Sequence, residues 1–569
     1  MRRFGTFTKL ATAGAALLAI GTSGTARSPE LKAALWHGGT IITMDGPAPR
    51  TVEAVVERDG RIVFAGPEIQ ARKLAGKGAV DNDLHGQTML PGFVDAHSHF
   101  AMAMQVAGGI DLSDPALGVK DFATLQDAIR RNVAAQGTPA GSWVVVWNYS
   151  EQALAEKRHI TRAELDAALP GYKIVLVHFT GHGLVGSSAA LEAAGITDST
   201  QAAPGGVIMR DAAGKPNGVL FENAMMPLAM KIPQPGEAAK LAMLDKAQTY
   251  YASQGYTHVQ EGATQLPDIA FLTSDAAKAR LRLDLAILPF HNTLPGLLER
   301  KDLQFGVYSG HVKLQGIKFV LDGSPQARTA YFSRDYKLGS PTGAHPWHGE
   351  SNMTQAEFET KARQTQARGW QLFVHANGDA AIDMAIKGFD ALGIKAKQDR
   401  RPVVIHSQFQ RPDQLKAYAR IGVGPAYFSN HTYLFADIHR SNFPRQVVDF
   451  ISPFKSARAA GLIASNHSDY PVTRLDSMTQ IWSSMARTSL TGVVSGPNQR
   501  LSAYEALQML TTGPAWQVFE ENRKGRIRVG LLADFVVLDR NPLTTPVGQI
   551  RSIRVMQTVK EGRTVWQRN

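Results

Sequence analysis

Two histidines one residue apart, His97 and His99, close the run Pro91-Gly92-Phe93-Val94-Asp95-Ala96-His97-Ser98-His99. Side chains alternate along a strand, so this spacing puts both imidazoles on one face. Neutral imidazole is a common ligand of zinc-like ions. Later apolar runs carry ligand-type residues in the same way: Phe373-Val374-His375, Val403-Val404-Ile405-His406, Leu462 to Asp469, and Gly316-Ile317-Lys318-Phe319-Val320. Four His, one Asp and one Lys at separate strand ends form a more specific pattern than any one of them.

A hydrolytic metal centre must hold one or two cations, keep a position open for water, and place a base near that water. His97, His99 and Asp469 suit one ion, and His375 and His406 a second. Lys318 among dications is pushed toward its neutral amine, the form that reacts with carbon dioxide. The resulting carbamate is an anionic oxygen ligand able to bridge two metals. Asp469 can accept a proton and later pass it to a leaving amine, which makes it the catalytic candidate. Three further residues are candidates for touching substrate: His182, Arg328 just past Lys318, and His431 at another strand end. The motif Gly181-His182-Gly183-Leu184-Val185-Gly186 also fits a dinucleotide fingerprint, but a short helix and a hairpin follow it, not a strand bearing an acid.

The elements that position these residues are parallel strands. Apolar strands alternate with amphipathic helices, Leu241 to Gln254 before Thr257-His258-Val259-Gln260, and Thr354 to Gly369 before Gln371 to His375. That alternation predicts an α/β fold, a (β/α)₈ barrel over residues 91–500 with its ligands at the C-terminal strand ends. The stretch of about 105–245 is too long for a crossover and reads as an inserted cap subdomain. Asp59-Gly60 and Glu561-Gly562 mark hairpins at the two chain ends, and segments 27–90 and 501–569 are expected to join in one β-sandwich domain. Trp143, Trp147 and Tyr149 read mainly as packing residues, with some use as pocket walls.

The chain has 569 residues, 44% hydrophobic and 19% charged, and no Cys, which excludes disulfides, thiolate zinc sites and cysteine nucleophiles. Residues 1–26 combine a basic start (Arg2, Arg3, Lys9), an apolar stretch and Gly24-Thr25-Ala26, the pattern of a secretory signal cleaved after Ala26. The apolar stretch is shorter than the roughly 20 residues that span a bilayer. Removing those three basic residues from 61 leaves 58 against 49 acids, a formal +9 with no nucleic-acid stripe. The expectation is therefore a periplasmic or secreted protein of a Gram-negative bacterium, without stable membrane insertion or nucleic-acid partner. Its partner is a small-molecule substrate, and a homodimer is compatible with the reading.

The opening run Pro91 to His99 resembles the first motif of the amidohydrolase superfamily, and later blocks resemble its YtcJ-like branch, amidohydrolase family 3. The blocks are Gly316-Ile317-Lys318-Phe319-Val320-Leu321-Asp322-Gly323-Ser324, His375-Ala376-Asn377-Gly378-Asp379, His406-Ser407-Gln408, Ser468-Asp469-Tyr470-Pro471-Val472 and the closing Gly530 to Asp539. The resemblance implies a metal set of His97, His99, carboxylated Lys318, His375, His406 and Asp469. It also implies hydrolysis of a carbon–nitrogen bond by hydroxide activated at one or two divalent ions, zinc first, with manganese or iron as alternatives. The chain departs from that branch at Gly181 to Ser187 and at Pro325-Gln326-Ala327-Arg328. A deaminase of the same superfamily is the nearest rival; mononuclear deaminases carry Glu where this chain has Gly378. An exported binding or regulatory protein retaining the fold is the rival of a different class.

Overall fold

The computed structural model describes residues 33–569 apart from 180, 182, 204, 205 and 342. The signal-type segment 1–26 and His182 therefore lie outside the described residues. No described helix is long and apolar enough to cross a membrane.

Two parallel sheets carry the candidate residues. One runs in the order Val312–Leu314, Asp284–Pro289, Tyr256–Thr264, Phe93–Val94; the other runs Gly316–Val320, Gln371–Ala376, Val403–His406, Gly424–Tyr427, Ser465–Asn466. Only Gln315 separates the first strand of each, and a parallel bridge between Phe290 and Lys318 links the two sheets. At the far edges, the Val94 N–H donates to the Leu510 carbonyl and the Asn466 N–H to that of Met509. Strands such as Asp284–Pro289 and Val403–His406 are buried along their whole length, as parallel strands covered on both faces must be. Helices lie between them, each stopped and started by local chemistry. Thr354 caps Gln355–Ala367 by accepting the Glu357 N–H at 3.2 Å, and the Glu357 carboxylate answers by accepting the Thr354 N–H at 2.8 Å.

The stretch between the first two parallel strands forms its own six-stranded sheet, ordered Val207–Arg210, Pro216–Phe221, Gly183–Gly186, Lys173–His178, Trp143–Tyr149, Ile110–Asp111. Gly183–Gly186 is an antiparallel strand there, a geometry unlike a phosphate loop opening a helix. Tyr149 is fully buried in the core of this sheet. Trp143, Val145 and Trp147 face the other way and line a cavity of about 410 Å³ against Met104, Met243 and Phe271.

Strands from both chain ends share a sheet ordered Arg563–Gln567, Val555–Lys560, Phe535–Leu538, Thr88–Pro91, Thr40–Ile42, Thr51–Val52. A second sheet, ordered Arg61–Gly66, Ala54–Arg58, Ala34–His37, Val80–Asp83, adjoins it. Trp36, Val55, Phe535 and Val537 meet in a common buried core drawn from both sheets.

Two sequence expectations change in detail. The strand before His97 stops at Val94 and that before His467 is only Ser465–Asn466, so His97, His99 and Asp469 stand on loops just beyond short strands. Lys318 lies mid-strand rather than at a strand end.

Candidate metal centre

Register sets the depth of each ligand candidate. Val320 pairs with His375, and Ala376 pairs with His406, which in turn pairs with Tyr427 and so with the level of Asn466. Lys318 pairs with Phe373, one inward-facing step below His375. The lysine thus enters from below, with the histidines and Asp469 above it.

The six candidates converge. One ligand atom each from His97, His99 and Asp469 lie within 4.8 Å of one another. Asp469 Oδ1 is 3.4 Å from His97 Nε2 and 3.3 Å from His99 Nε2. Lys318 Nζ is 3.0 Å from His97 Nε2. The His375 and His406 rings lie 4.4 Å apart, and His406 is 5.8 Å from His97. Asp469, His406 and Ser407 all have positive φ, at 55°, 72° and 43°; such strain in residues with a Cβ clusters where function fixes a side chain.

Residues that bear no ligand decide which nitrogen each histidine offers. The Gly262 carbonyl accepts from His99 Nδ1 at 2.7 Å, and Gln260 Oε1 accepts from His97 Nδ1 at 3.0 Å. Both Nε2 atoms thereby face Asp469, the arrangement that orients imidazoles for a cation. Gly262 also has a steric role, since a Cβ there would run into the His97 ring. Asp95 fixes the loop by accepting from Ser98 Oγ and from the Gln260 N–H at 3.2 Å. Asp322, fully buried, accepts the N–H groups of Tyr331, Asn377 and Gly378 at 3.1, 2.9 and 2.8 Å, and its Oδ1 stands 3.1 Å from His375 Nδ1.

The electrostatics suit an added cation. Burial pushes the Lys318 ammonium down to about 7, against the opposing pull of Asp469 and Glu261. Burial lowers His97 and His406 well below the usual imidazole range, and neighbouring basic groups, Lys318 for His97 and His375 for His406, add to it. Although burial disfavours its charge, Asp469 is held well below the carboxylate range by His99 beside it and by the other surrounding histidines. Within this cluster, Asp469 Oδ1, His406 Nδ1 and both ring nitrogens of His467 are buried without hydrogen-bond partners among the described residues. Orphaned lone pairs converging on an aspartate fit a divalent ion, whereas leaving them bare would cost about 1 to 3 kcal/mol each.

His467 was not among the sequence candidates. Its ring lies 5.3 Å from that of His97 and 5.0 Å from that of His406. The signal was present, since His467 precedes Asp469 by two residues, the spacing that singled out His97 and His99. Gln260, Glu261 and Gly262 carried no such signal, because nothing local marks a strand residue as the partner of a ring 163 positions away. The substrate candidates divide. His431 is buried beyond the strand Gly424–Tyr427, which lies between the strands of His406 and His467. Arg328 Nη1 donates to the carbonyls of Leu338 and Gly339, at 2.6 and 3.3 Å, which ties that end of its guanidinium to its own loop.

Comparison with known proteins follows the same line. The chain is 28% identical over 557 residues to the amidohydrolase YtcJ of Bacillus subtilis, covering 94% of this chain and all of that one. It is 27% identical over 524 residues to the N-substituted formamide deformylase of Arthrobacter pascens, covering 90% and 94%. A solved metal-dependent hydrolase from Pyrococcus furiosus shares the fold, with a TM-score of 0.73 at 22% identity over 90% of this chain and all of that one. Residues 82–566 match the profile of the Amidohydrolase family, and the chain belongs to that family.

Proposed function

We propose that the protein is a metal-dependent hydrolase of an amide-like carbon–nitrogen bond in a small molecule. The two parallel sheets are read as one (β/α)₈ barrel, supported by the Phe290–Lys318 bridge and by the shared 509–510 turn at the opposite edges. The observation that carries the function is the convergence of His97, His99 and Asp469 beside a buried lysine, with unpaired lone pairs around them. His97, His99, Lys318, His375, His406 and Asp469 would hold one or two divalent ions, zinc first. Such ions polarise a carbonyl and supply a nucleophilic oxygen from water at neutral pH.

The protein's own part follows from its residues. Gln260 and the Gly262 carbonyl lock the tautomers of His97 and His99. Lys318, with its pKa near 7, spends much of its time as the neutral amine, the state that can take up carbon dioxide as a carbamate. Asp469 is ionised and can take a proton from the attacking water and return it to the leaving nitrogen. Gly378 speaks against the deaminase alternative. A Cβ there would collide with the Tyr331 carbonyl, so the glutamate of mononuclear deaminases has no room at that position.

The test is elemental analysis of the purified protein followed by hydrolysis assays. About two equivalents of metal per chain, with turnover of N-acyl amines or carbamates, is the expected result. The likeness to a formamide deformylase makes N-formyl amines the first compounds to assay. One equivalent with ammonia release from an aminated ring would shift the assignment to deamination. No metal and no turnover would favour the binding protein.

A further inference from the structure

His431 does not stand alone. Its Nδ1 is 3.0 Å from Nε2 of His439, and the two rings are stacked, 11° from parallel with centroids 5.2 Å apart. Both residues are buried; Phe428 and Phe435 pack on the first ring, and Phe409 on the second. His431 opens a π-helical turn, His431–Phe435, a rare form found mostly at functional sites. The Phe428 ring also contacts the rings of His406 and His467, which sets His431 beside the metal centre.

Two buried imidazoles joined nitrogen to nitrogen share one proton, and its owner follows from what lies beyond. His439 Nδ1 is buried with no partner. If His431 donated, that orphan would be an N–H; if His439 donates through Nε2, the orphan is a lone pair. Buried orphan N–H groups are the rarer and costlier case. His439 is therefore the donor, and His431 must carry its own hydrogen on Nε2. That atom has no hydrogen-bond partner among the described residues, yet it is not sealed from solvent as His439 Nδ1 is.

We propose that His439 is a positioning residue that fixes His431 as an Nε2–H donor aimed at an oxygen acceptor of the substrate, a carbonyl or carboxylate. A fixed donor selects an oxygen and disfavours an amine or amide N–H at the same place. The proposal rests on the hydrolase reading for its substrate, though not for the tautomer.

Four variants and one spectrum test it. His431→Leu should lower kcat/KM by up to about a hundredfold, the range for losing a hydrogen bond to a charged or strongly polarised oxygen. His431→Gln, whose amide nitrogen can stand in for Nε2, should recover most of it. His439→Leu should cost about tenfold, in the range for groups that orient a site residue. His439→Gln, which keeps a donor for His431 Nδ1, should stay within about threefold of the parent. A long-range ¹⁵N–¹H spectrum of histidine-labelled protein should show His431 as the Nε2–H form, lost in His439→Leu and kept in His439→Gln, with metal content unchanged throughout. An Nδ1–H form of His431, or an unchanged tautomer in His439→Leu, would overturn the proposal even if every amide were hydrolysed. A metal-free protein without turnover would sink the hydrolase reading and leave the spectrum to decide the histidine pair.

Discussion

Two buried polar clusters sit at opposite ends of the parallel strands, and by ligand geometry they look alike. At the opening ends, Asp284, His311 and Glu561 bring three ligand atoms within 4.8 Å of one another, as His97, His99 and Asp469 do at the closing ends. The neighbours differ. Asp284 is already paired with Lys524, with Lys560 at 3.2 Å and with His311 Nδ1 at 2.8 Å, while Lys560 also reaches Asp534 at 3.2 Å and Glu561 at 2.8 Å. Burial works against the charge on Lys560, yet Asp534 and Asp284 hold it above the usual lysine range. A cation is resident there in the form of two ammonium groups, and the Asp284 carboxylate at its centre is satisfied by them and by His311. The closing-end cluster has one lysine, its ammonium weakened to about 7, and atoms without hydrogen-bond partners on Asp469, His406 and His467. Distance among ligand-type atoms therefore does not separate a metal site from a structural ion network; the charge already present does.

The largest effects should come from breaking the closing-end cluster. Lys318→Ala is expected to lose most bound metal. Asp469→Asn, which keeps the shape but not the charge, should cut turnover by about 10³-fold. Full metal occupancy and rate in Lys318→Ala would end the carbamate reading. Neither substitution should touch the other end of the strands, so Lys524→Met provides the converse. It strips one partner from a buried carboxylate and is expected to destabilise the fold by about 3 kcal/mol in chemical denaturation. Metal content at the native baseline should remain that of the parent. Metal loss in folded Lys524→Met would show that the two clusters are coupled, and the contrast drawn between them would fail.

A smaller effect sharpens the difference. Because both His467 nitrogens are buried without partners, His467→Leu should stabilise the chelator-treated protein by about 1 kcal/mol while weakening metal retention in dialysis. A loss of stability would mean that the imidazole holds the fold and not the ion.

The closing-end cluster was largely legible in the sequence and the opening-end cluster was not, for a physical reason. His97, His99, His375, His406 and Asp469 follow short apolar runs, and a run of that type is a local property of the chain. Lys524 and Asp284 are 240 positions apart, and no local pattern announces an ion pair formed by tertiary packing. The same limit explains the strand lengths. Phe93–Val94 and Ser465–Asn466 are two-residue strands, and their Val94 and Asn466 N–H groups run to the Leu510 and Met509 carbonyls, which sequence periodicity does not locate. Arg328 is a different case: its type and place suggested a carboxylate clamp, and the structure adds that its Nη1 donates to nearby backbone carbonyls, contacts that its sequence neighbours do not announce.

The last effect is a slope in pH, to which Lys313 at the opening end contributes its own share. Lys313 is buried beside the Glu520 carboxylate and the Val518 carbonyl. Burial pushes its ammonium down from 10.5 to about 8, with Glu520 opposing the shift. Between those two values the unfolded chain holds the proton and the native chain has released it. Stability must then rise with pH across that window, by at most about 1.4 kcal/mol per pH unit for one proton. Below pH 8 both states are charged and the full cost of burial stands; above 10.5 both are neutral and it vanishes. Denaturation midpoints between pH 8 and 10.5 should climb in the parent and climb less in Lys313→Met, where Glu520 keeps Arg523 at 3.0 Å and Lys524 at 3.6 Å. An equal climb in both proteins would assign the slope to another group. The charge balance at the opening end would then not be the one that sets it apart from the metal centre.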